Sequence, residues 1–313
     1  MNIRNIRWSL MALGASAALM STSAHAAWTF DQANVTGLTG SAGDPTLSLS
    51  GVYSTNAAST GVVNGNWTAS SLVWYGGNGQ GMSSDGSQTP NHALDNNGNT
   101  EAVLLQFSAS TVLTSIGLGY TSNGTCSKSG YADVQLANDQ SCGSITANGG
   151  GYSLKQNGTT QVDASVFRWI GGGTPTGSPT PLIGQASTTM TGWELVGNYG
   201  DMVTDTSNPY NAVNAAGKTS SWWLISAYNS GFAQTATSGT SIATENRGAL
   251  DNGGDYFKLY AVAGTKCTST VDGKGVCGGT STGKLPEPAT LALTSVALIG
   301  VAGLRRRKVN AAA

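Results

Sequence analysis

The chain has 313 residues, a formal net charge of −1, and charged side chains at only 10% of its positions. Residues 27–284 hold fifteen acidic and nine basic residues, so this central part carries a net charge of about −6. Such a surface argues against nucleic acid, and against an anionic polysaccharide bound through basic contacts. Few charges of either sign leave a surface built from amides and hydroxyls.

The N-terminal residues have the three parts of a secretory signal peptide. Arg4 and Arg7 form a basic leader, residues 8–20 are mostly apolar, and Ala24-His25-Ala26 supplies small residues at Ala24 and Ala26. This order predicts a signal peptide over residues 1–26 with cleavage after Ala26. An uncleaved membrane helix is the alternative, but the apolar run is short for a span.

The body, residues 27–284, has the pattern of an all-β domain. We find no amphipathic helical segment longer than about two turns, whereas short runs of branched and aromatic residues recur between turn clusters. Eight or more such strands predict a single β-sandwich, jelly-roll-like in type. Several strands alternate, with Gln135 between Val134 and Leu136 and Lys258 among the apolar residues of 257–260, so we expect Gln135 and Lys258 to face solvent. The predicted strands are 71–75, 102–107, 112–120, 132–136, 165–170, 192–196, 222–228 and 256–262.

Two turns rich in Asp and Asn precede predicted strands. In the first, Asp95, Asn97, Asn99 and Glu101 alternate carboxylate and amide oxygens, as calcium ligands do. The second contains Asp251, Asn252 and Asp255. Both also fit plain Asx turns, in which these side chains bond their own backbone. Neither matches the twelve-residue EF-hand spacing, so a calcium site and a structural turn both stay open.

The four cysteines suit an exported protein. Cys126, Cys142, Cys267 and Cys277 allow three pairings, of which the two short loops, Cys126 with Cys142 and Cys267 with Cys277, are favoured. Each loop holds Gly, Ser or Thr, and Asp, so a disulfide would fix a segment with little core of its own. Zinc is disfavoured because no Cys-x-x-Cys pair occurs.

The tryptophans suggest a ligand surface. Trp222 and Trp223 are adjacent on a predicted strand, so their rings point to opposite faces and only one enters the core. The other ring is exposed, where it would stack on a sugar, or lies buried under a loop.

Catalysis is not expected from the residues of the body. His92 is its only histidine, and its neighbours Asn91 and Asp95 indicate a turn. The three glutamates, Glu101, Glu194 and Glu245, form no pattern that places two carboxylates on one strand face, as a glycoside hydrolase requires. We therefore interpret the body as a non-enzyme, with a secreted glycoside hydrolase as a lesser alternative.

The last segment, residues 285–313, contains three consecutive signals. Pro286, Glu287 and Pro288 cannot lie inside a helix, so a helix begins only after them. Residues 289–304 are uncharged and would form a helix of about 24 Å at about 1.5 Å per residue. A basic stop follows, which keeps that end cytoplasmic and leaves the triplet on the outer face. The stop consists of Arg305, Arg306, Arg307 and Lys308.

This tail resembles the PEP-CTERM sorting domain of Gram-negative bacteria, which covers about a tenth of the chain. The resemblance implies that an exosortase recognises the triplet at the inner membrane and releases or transfers the protein to the cell surface or extracellular matrix. A plain C-terminal membrane anchor and a Leu-Pro-x-Thr-Gly sortase signal are the alternatives. The second lacks its threonine and glycine, because Leu285-Pro286 is followed by Glu287-Pro288-Ala289.

Parts of the body are similar to the bodies of exosortase-dependent surface proteins. The similarity implies a surface β-domain with a structural or adhesive role linked to exopolysaccharide and biofilm, and it supplies no catalytic residues. A calcium-assisted, lectin-like carbohydrate-binding module is the alternative function. The segments that carry the similarity are 91–96, 101–107, 116–120 and 255–262.

Overall fold

The structure is a computed structural model, and it describes residues 26–82, 84, 92–136, 142–156, 160–171, 182–204, 209–232, 245–250, 253–272 and 275–278. The predicted signal peptide up to His25 and the whole predicted sorting tail lie outside the described residues. The described part of the chain is built from strands, which confirms the all-β prediction.

The strands are numbered in chain order. They are β1 (Ala26–Thr29), β2 (Leu38–Thr39), β3 (Thr46–Thr55), β4 (Thr68–Ser70), β5 (Leu72–Tyr75), β6 (Gly79–Met82), β7 (Leu94–Asp95), β8 (Asn99–Ser122), β9 (Thr125–Ser127), β10 (Val134–Gln135), β11 (Ser153–Leu154), β12 (Val162–Trp169), β13 (Trp193–Met202), β14 (Tyr210–Ala212), β15 (Ser220–Ala227), β16 (Glu245–Arg247) and β17 (Tyr256–Lys266). Two 3₁₀ turns cover Cys142–Ser144 and Ala147–Gly149.

The long strand β8 joins the two parts of the fold. Its first part pairs with β3 and β15, and its second part pairs with β14 and β17. Fourteen strands therefore form one hydrogen-bonded network along the path β16-β13-β12-β15-β8-β17-β6-β5, with β1, β2, β3, β4, β7 and β14 attached at its sides. The predicted strands 102–107 and 112–120 are thus a single strand.

A main core lies between the two parts of this folded sheet. It includes Val103 and Leu105 from the first part of β8, Ile116 and Leu118 from its second part, and Trp223 from β15, all fully buried. Trp28 of β1 closes one side, where its ring meets Phe107 edge-on at 5.0 Å between centroids. The burial of these apolar side chains is the main force that holds the two parts of the sheet together.

A second core covers the opposite face of β8, β12, β13 and β15. Leu104, Phe167 and Trp222 from the strands pack there against Trp67 and Phe232 from the connections. Because both faces are covered, residues 102–105 of β8 form an uninterrupted apolar run rather than an alternating one. This part of the sheet therefore lacks the alternation that the sequence predicts for other strands.

A small insert follows β8. Its strands β10-β9-β11 form a separate three-stranded sheet, and its apolar residues include Leu136 and Tyr152. The Cys126–Cys142 disulfide closes this insert, and the Cys267–Cys277 disulfide closes the turn after β17. Both predicted pairings are confirmed, and all four cysteines of the chain are bonded.

Candidate functional site

The turn between β7 and β8 contains the four proposed calcium ligands. Asp95 Oδ1 accepts a hydrogen bond from the backbone N–H of Asn97 at 2.9 Å, which is an Asx turn. The side chain of Asn97 in turn donates from Nδ2 to the hydroxyl of Tyr256 at 3.0 Å. The first half of the turn thus has the structural geometry that the sequence left as an alternative to calcium.

The second half of the turn holds Ser84. Asn99 Nδ2 donates to Ser84 Oγ at 2.9 Å, and Glu101 Oε1 accepts from Ser84 N–H at 2.8 Å. Within the described ranges, no three His, Cys, Asp or Glu residues come close enough together to hold a metal ion. Asp251 and Asn252 of the other proposed calcium turn lie outside the described residues.

Asn96 is not among the proposed calcium ligands, but its side chain braces this turn. Its Nδ2 donates to the carbonyl oxygens of Tyr228 at 2.8 Å and Gly253 at 3.0 Å, and to Asp255 Oδ2 at 3.1 Å. Its Oδ1 accepts from Asp255 N–H at 3.0 Å. One amide therefore ties the entrance of β8 to the end of β15 and the start of β17.

Asn229 makes a second brace beside the first. Its Oδ1 accepts from the backbone N–H groups of Val63 and Gly231, each at 3.0 Å. Its Nδ2 donates to Gly61 O and Thr100 Oγ1, each at 2.9 Å. All four hydrogen-bonding positions of this buried amide are occupied, so the connection before Val63 is held firmly against the sheet.

A polar cleft opens between the two braces. It has a volume of about 110 Å³, and its described lining holds no charged residue and presents hydroxyls, backbone groups and the ring of Tyr228. Such a lining suits a neutral, hydroxyl-rich group better than an ion. The lining residues are Thr60, Gly61, Val62, Asn96, Tyr228, Asn229, Ser230 and Gly253.

The Tyr228 phenol at this cleft stays neutral. Partial burial raises the pKa of Tyr228, and the nearby carboxylates of Asp163 and Asp255 raise it further. A neutral phenol both donates and accepts hydrogen bonds, as hydroxyl ligands require. The Asp255 carboxylate itself accepts from Asp163 N–H at 2.7 Å, which fixes it behind the cleft.

Neither of the two adjacent tryptophans offers a ring to solvent. Trp223 is fully buried in the main core, with its Nε1 donating to Ser220 O at 3.0 Å. Trp222 lies on the opposite face, as the strand geometry predicts, but it is only 4% exposed in the second core. The buried alternative is the one observed, so these residues do not form a sugar platform.

The candidate catalytic residues are engaged in structural contacts. Glu194 is buried between Arg168 and Lys218, with Nε of Arg168 2.7 Å from Oε2 and Nζ of Lys218 2.7 Å from Oε1. Glu245 accepts from the Tyr199 hydroxyl at 2.7 Å. His92 stacks obliquely on Tyr75, with 5.7 Å between ring centroids. None of these three residues lines the polar cleft.

Comparison with known proteins does not add a relative. No protein-family model, curated protein or solved structure matches this chain. Across the part of the chain that the structure describes, no helix has the length and apolarity needed to cross a membrane. The predicted transmembrane segment, 289–304, lies outside that part.

Proposed function

We propose that the protein is exported, held briefly in the inner membrane, and processed by an exosortase to the cell surface or extracellular matrix, where it has a structural or adhesive role with exopolysaccharide. The observation that carries this proposal is the Pro286-Glu287-Pro288 triplet followed by the apolar run 289–304 and the basic stop. In this proposal the body is a jelly-roll-like sandwich that serves as the cargo of the sorting tail.

The two disulfides support export to an oxidising compartment. Disulfides persist in oxidising environments such as the periplasm and the cell surface. Each closes a short loop, with 16 residues of separation for Cys126–Cys142 and 10 for Cys267–Cys277. Cross-links of this kind stabilise the folded state, chiefly by restricting the unfolded chain.

Intact-mass analysis tests the sorting proposal. Surface fractions from cells with and without the exosortase are compared, and we expect a mature form that begins at Ala27 and has lost the residues after the triplet only when the enzyme is present. The variant Glu287→Ala is expected to accumulate unprocessed, whereas Lys284→Ala, just before the signal, is processed normally. Recovery of a surface form that still ends at Ala313 contradicts the proposal.

A lectin-like role is the second candidate, and the polar cleft at Tyr228, whose described lining is uncharged, favours it. A neutral glycan would contact the Tyr228 ring and the hydroxyls around it, which is the usual combination of apolar face and polar rim. We expect glycan-array binding to be lost in Tyr228→Ala and kept in Tyr131→Ala, which removes a tyrosine that is 49% exposed elsewhere. A chelator added to the same array tests the calcium requirement, and identical binding by both variants contradicts this site.

A further inference from the structure

Lys258 is a buried cation for which the described part of the chain provides no anion. It is 3% exposed on β17, and neither a hydrogen bond nor an ion pair joins its ammonium to any described residue. Its Nζ instead lies over two rings, 4.7 Å from the centroid of Tyr75 and 4.1 Å from that of Tyr120. A cation–π pair offsets part of the cost of removing the charge from water, but the ammonium keeps its unused N–H donors.

Two other buried cations of the described chain are paired with a carboxylate. Arg168 and Lys218 share the carboxylate of Glu194 and are almost fully buried with it. Buried charges are normally paired in this way, because an isolated ion loses its hydration without compensation. Among the described residues, Lys258 thus differs from these cations in having aromatic rings but no carboxylate beside its ammonium.

One of the two rings that contact Lys258 is exposed to solvent, whereas the other, Tyr120, is buried. Tyr75, which covers the ammonium, is 46% exposed, and the preceding Trp74 is 38% exposed. His92 packs against Tyr75, and its Nδ1 is buried with no hydrogen-bond partner in the described part of the chain. We call Lys258, Tyr75, Tyr120 and His92 the Lys258 pocket. It combines one positive charge, one imidazole nitrogen without a described partner, and one partly exposed aromatic ring.

We propose that the Lys258 pocket binds the carboxylate of a single uronic acid residue, with the pyranose ring against Tyr75. This inference rests on the proposed function, because it supplies the ligand class for a surface protein that acts with exopolysaccharide. A sugar acid matches both parts of the pocket, since its carboxylate pairs with the ammonium and its C–H face packs on a ring. The net charge of about −6 on residues 27–284 opposes a polyanion, so the ligand is a lone uronate on an otherwise neutral chain.

The proposal predicts that binding depends on pH. Burial lowers the pKa of Lys258 to about 8, so the ammonium is mostly protonated at pH 7 and loses its proton just above neutral pH. A bound carboxylate would raise that pKa. The affinity would therefore fall about tenfold for each pH unit above the pKa of the free protein. The titratable groups that contact Lys258 are Tyr75 from β5 and Tyr120 from β8, and His92, from the segment before β7, packs on Tyr75.

The test uses full-length protein and three probes. Methyl galacturonide is compared with neutral methyl galactoside and with acetate by ligand-observed NMR at pH 7 and pH 9.5. We expect the galacturonide to bind at pH 7 at least about tenfold more tightly than either comparison probe, and to bind much more weakly at pH 9.5. Equal binding of galactoside, equal binding of acetate, or no binding of galacturonide overturns the proposal.

Matched variants locate the site. Lys258→Gln is expected to abolish galacturonide binding, whereas Lys266→Gln, at the exposed end of the same strand, keeps it. Because Lys258→Gln could disturb the sheet, a second measurement follows the ¹³Cε signals of the wild-type lysines, and a Lys258 pKa that the ligand does not raise contradicts the proposal. Tyr228→Ala should leave this binding intact, and the sorting experiment is independent of it, so each hypothesis fails separately.

Discussion

Arg168 Nη1 donates a hydrogen bond to the carbonyl oxygen of Gly275 at 2.7 Å. The same carbonyl accepts from Thr219 N–H at 2.8 Å, so the turn closed by Cys267 and Cys277 is fixed directly above a buried guanidinium. Gly275 has a φ of +74°, and a Cβ there would lie 2.2 Å from Arg168 Nη1. Only glycine permits this approach, and the turn therefore acts as the cover of the buried charges.

Removing this disulfide should cost more than its loop length implies. For a loop of this size, chain entropy alone predicts a loss of about 2–3 kcal/mol in Cys267→Ala/Cys277→Ala. Opening the turn also admits water to Arg168, so we expect a larger loss in urea unfolding than in the Cys126→Ala/Cys142→Ala control, whose loop is longer. If the control loses more, the turn does not act as a cover.

Glu194 is expected to be the most sensitive charged residue in the described sheet. Glu194→Gln would leave Arg168 and Lys218 buried without a carboxylate, and breaking such a pair costs about 3–5 kcal/mol. The control is Glu245→Gln, at a half-buried residue whose Oε1 accepts from Ala216 N–H at 2.9 Å, with an expected loss of about 1 kcal/mol. Urea unfolding of both variants measures the two losses, and equal losses would contradict the prediction that Glu194 is the more sensitive residue.

The sequence predicted the strands well because their apolar content is local. Residues 165–170, 192–196, 222–228 and 256–262 all lie largely within observed strands. The ten-residue strand β3 was missed, because its small and hydroxyl residues alternate with Leu47, Leu49 and Val52 less visibly than in the other strands. The continuity of β8 could not be predicted either, since it depends on two sets of partners far away in the chain.

The site was harder to predict, because its residues converge only through the fold. Asn96 and Asn229 stand 133 positions apart in the sequence, and each looks like an ordinary turn residue until its four hydrogen bonds are seen. Lys258 was predicted to face solvent between Phe257 and Leu259, which is wrong because Tyr75 folds over it from the β5–β6 hairpin. The one local signal was Tyr75 itself, an aromatic residue at a strand end.

Asn229 is expected to be essential for the cleft. Asn229→Ala would leave the N–H of Val63 without an acceptor in a buried position, and we expect a loss of about 2–4 kcal/mol from the broken bonds. Asn211→Ala is a matched control, because its bonds to Val203 O and Pro209 O are longer, at 3.2 and 3.4 Å. The control should lose less than about 1 kcal/mol in thermal or urea unfolding. Similar losses in both variants would show that Asn229 is not a brace.

The pH dependence of stability should reveal Lys258 directly. Its pKa is about 8 in the folded protein, against 10.5 ordinarily, so between these values the unfolded chain binds a proton that the native state has released. The free energy of unfolding therefore rises with pH in this window, by at most about 1.4 kcal/mol per unit. Burial raises the pKa of Tyr120 to about 12, against a smaller lowering by Ser122. Above pH 10 the tyrosine therefore ionises in the unfolded chain before it does in the native state, and the free energy of unfolding falls.

Urea unfolding at intervals from pH 7 to pH 11 measures this profile. Wild-type protein should show a maximum of stability near pH 10. Lys258→Met should lose the rise between pH 8 and pH 10 and gain stability at neutral pH, because the cost of burying an unpaired charge is removed. Lys266→Met, at the exposed end of β17, should keep the wild-type shape. A wild-type profile that is flat from pH 8 to pH 10 would mean that Lys258 is already paired in solution, and a rise retained by Lys258→Met would assign it to another group.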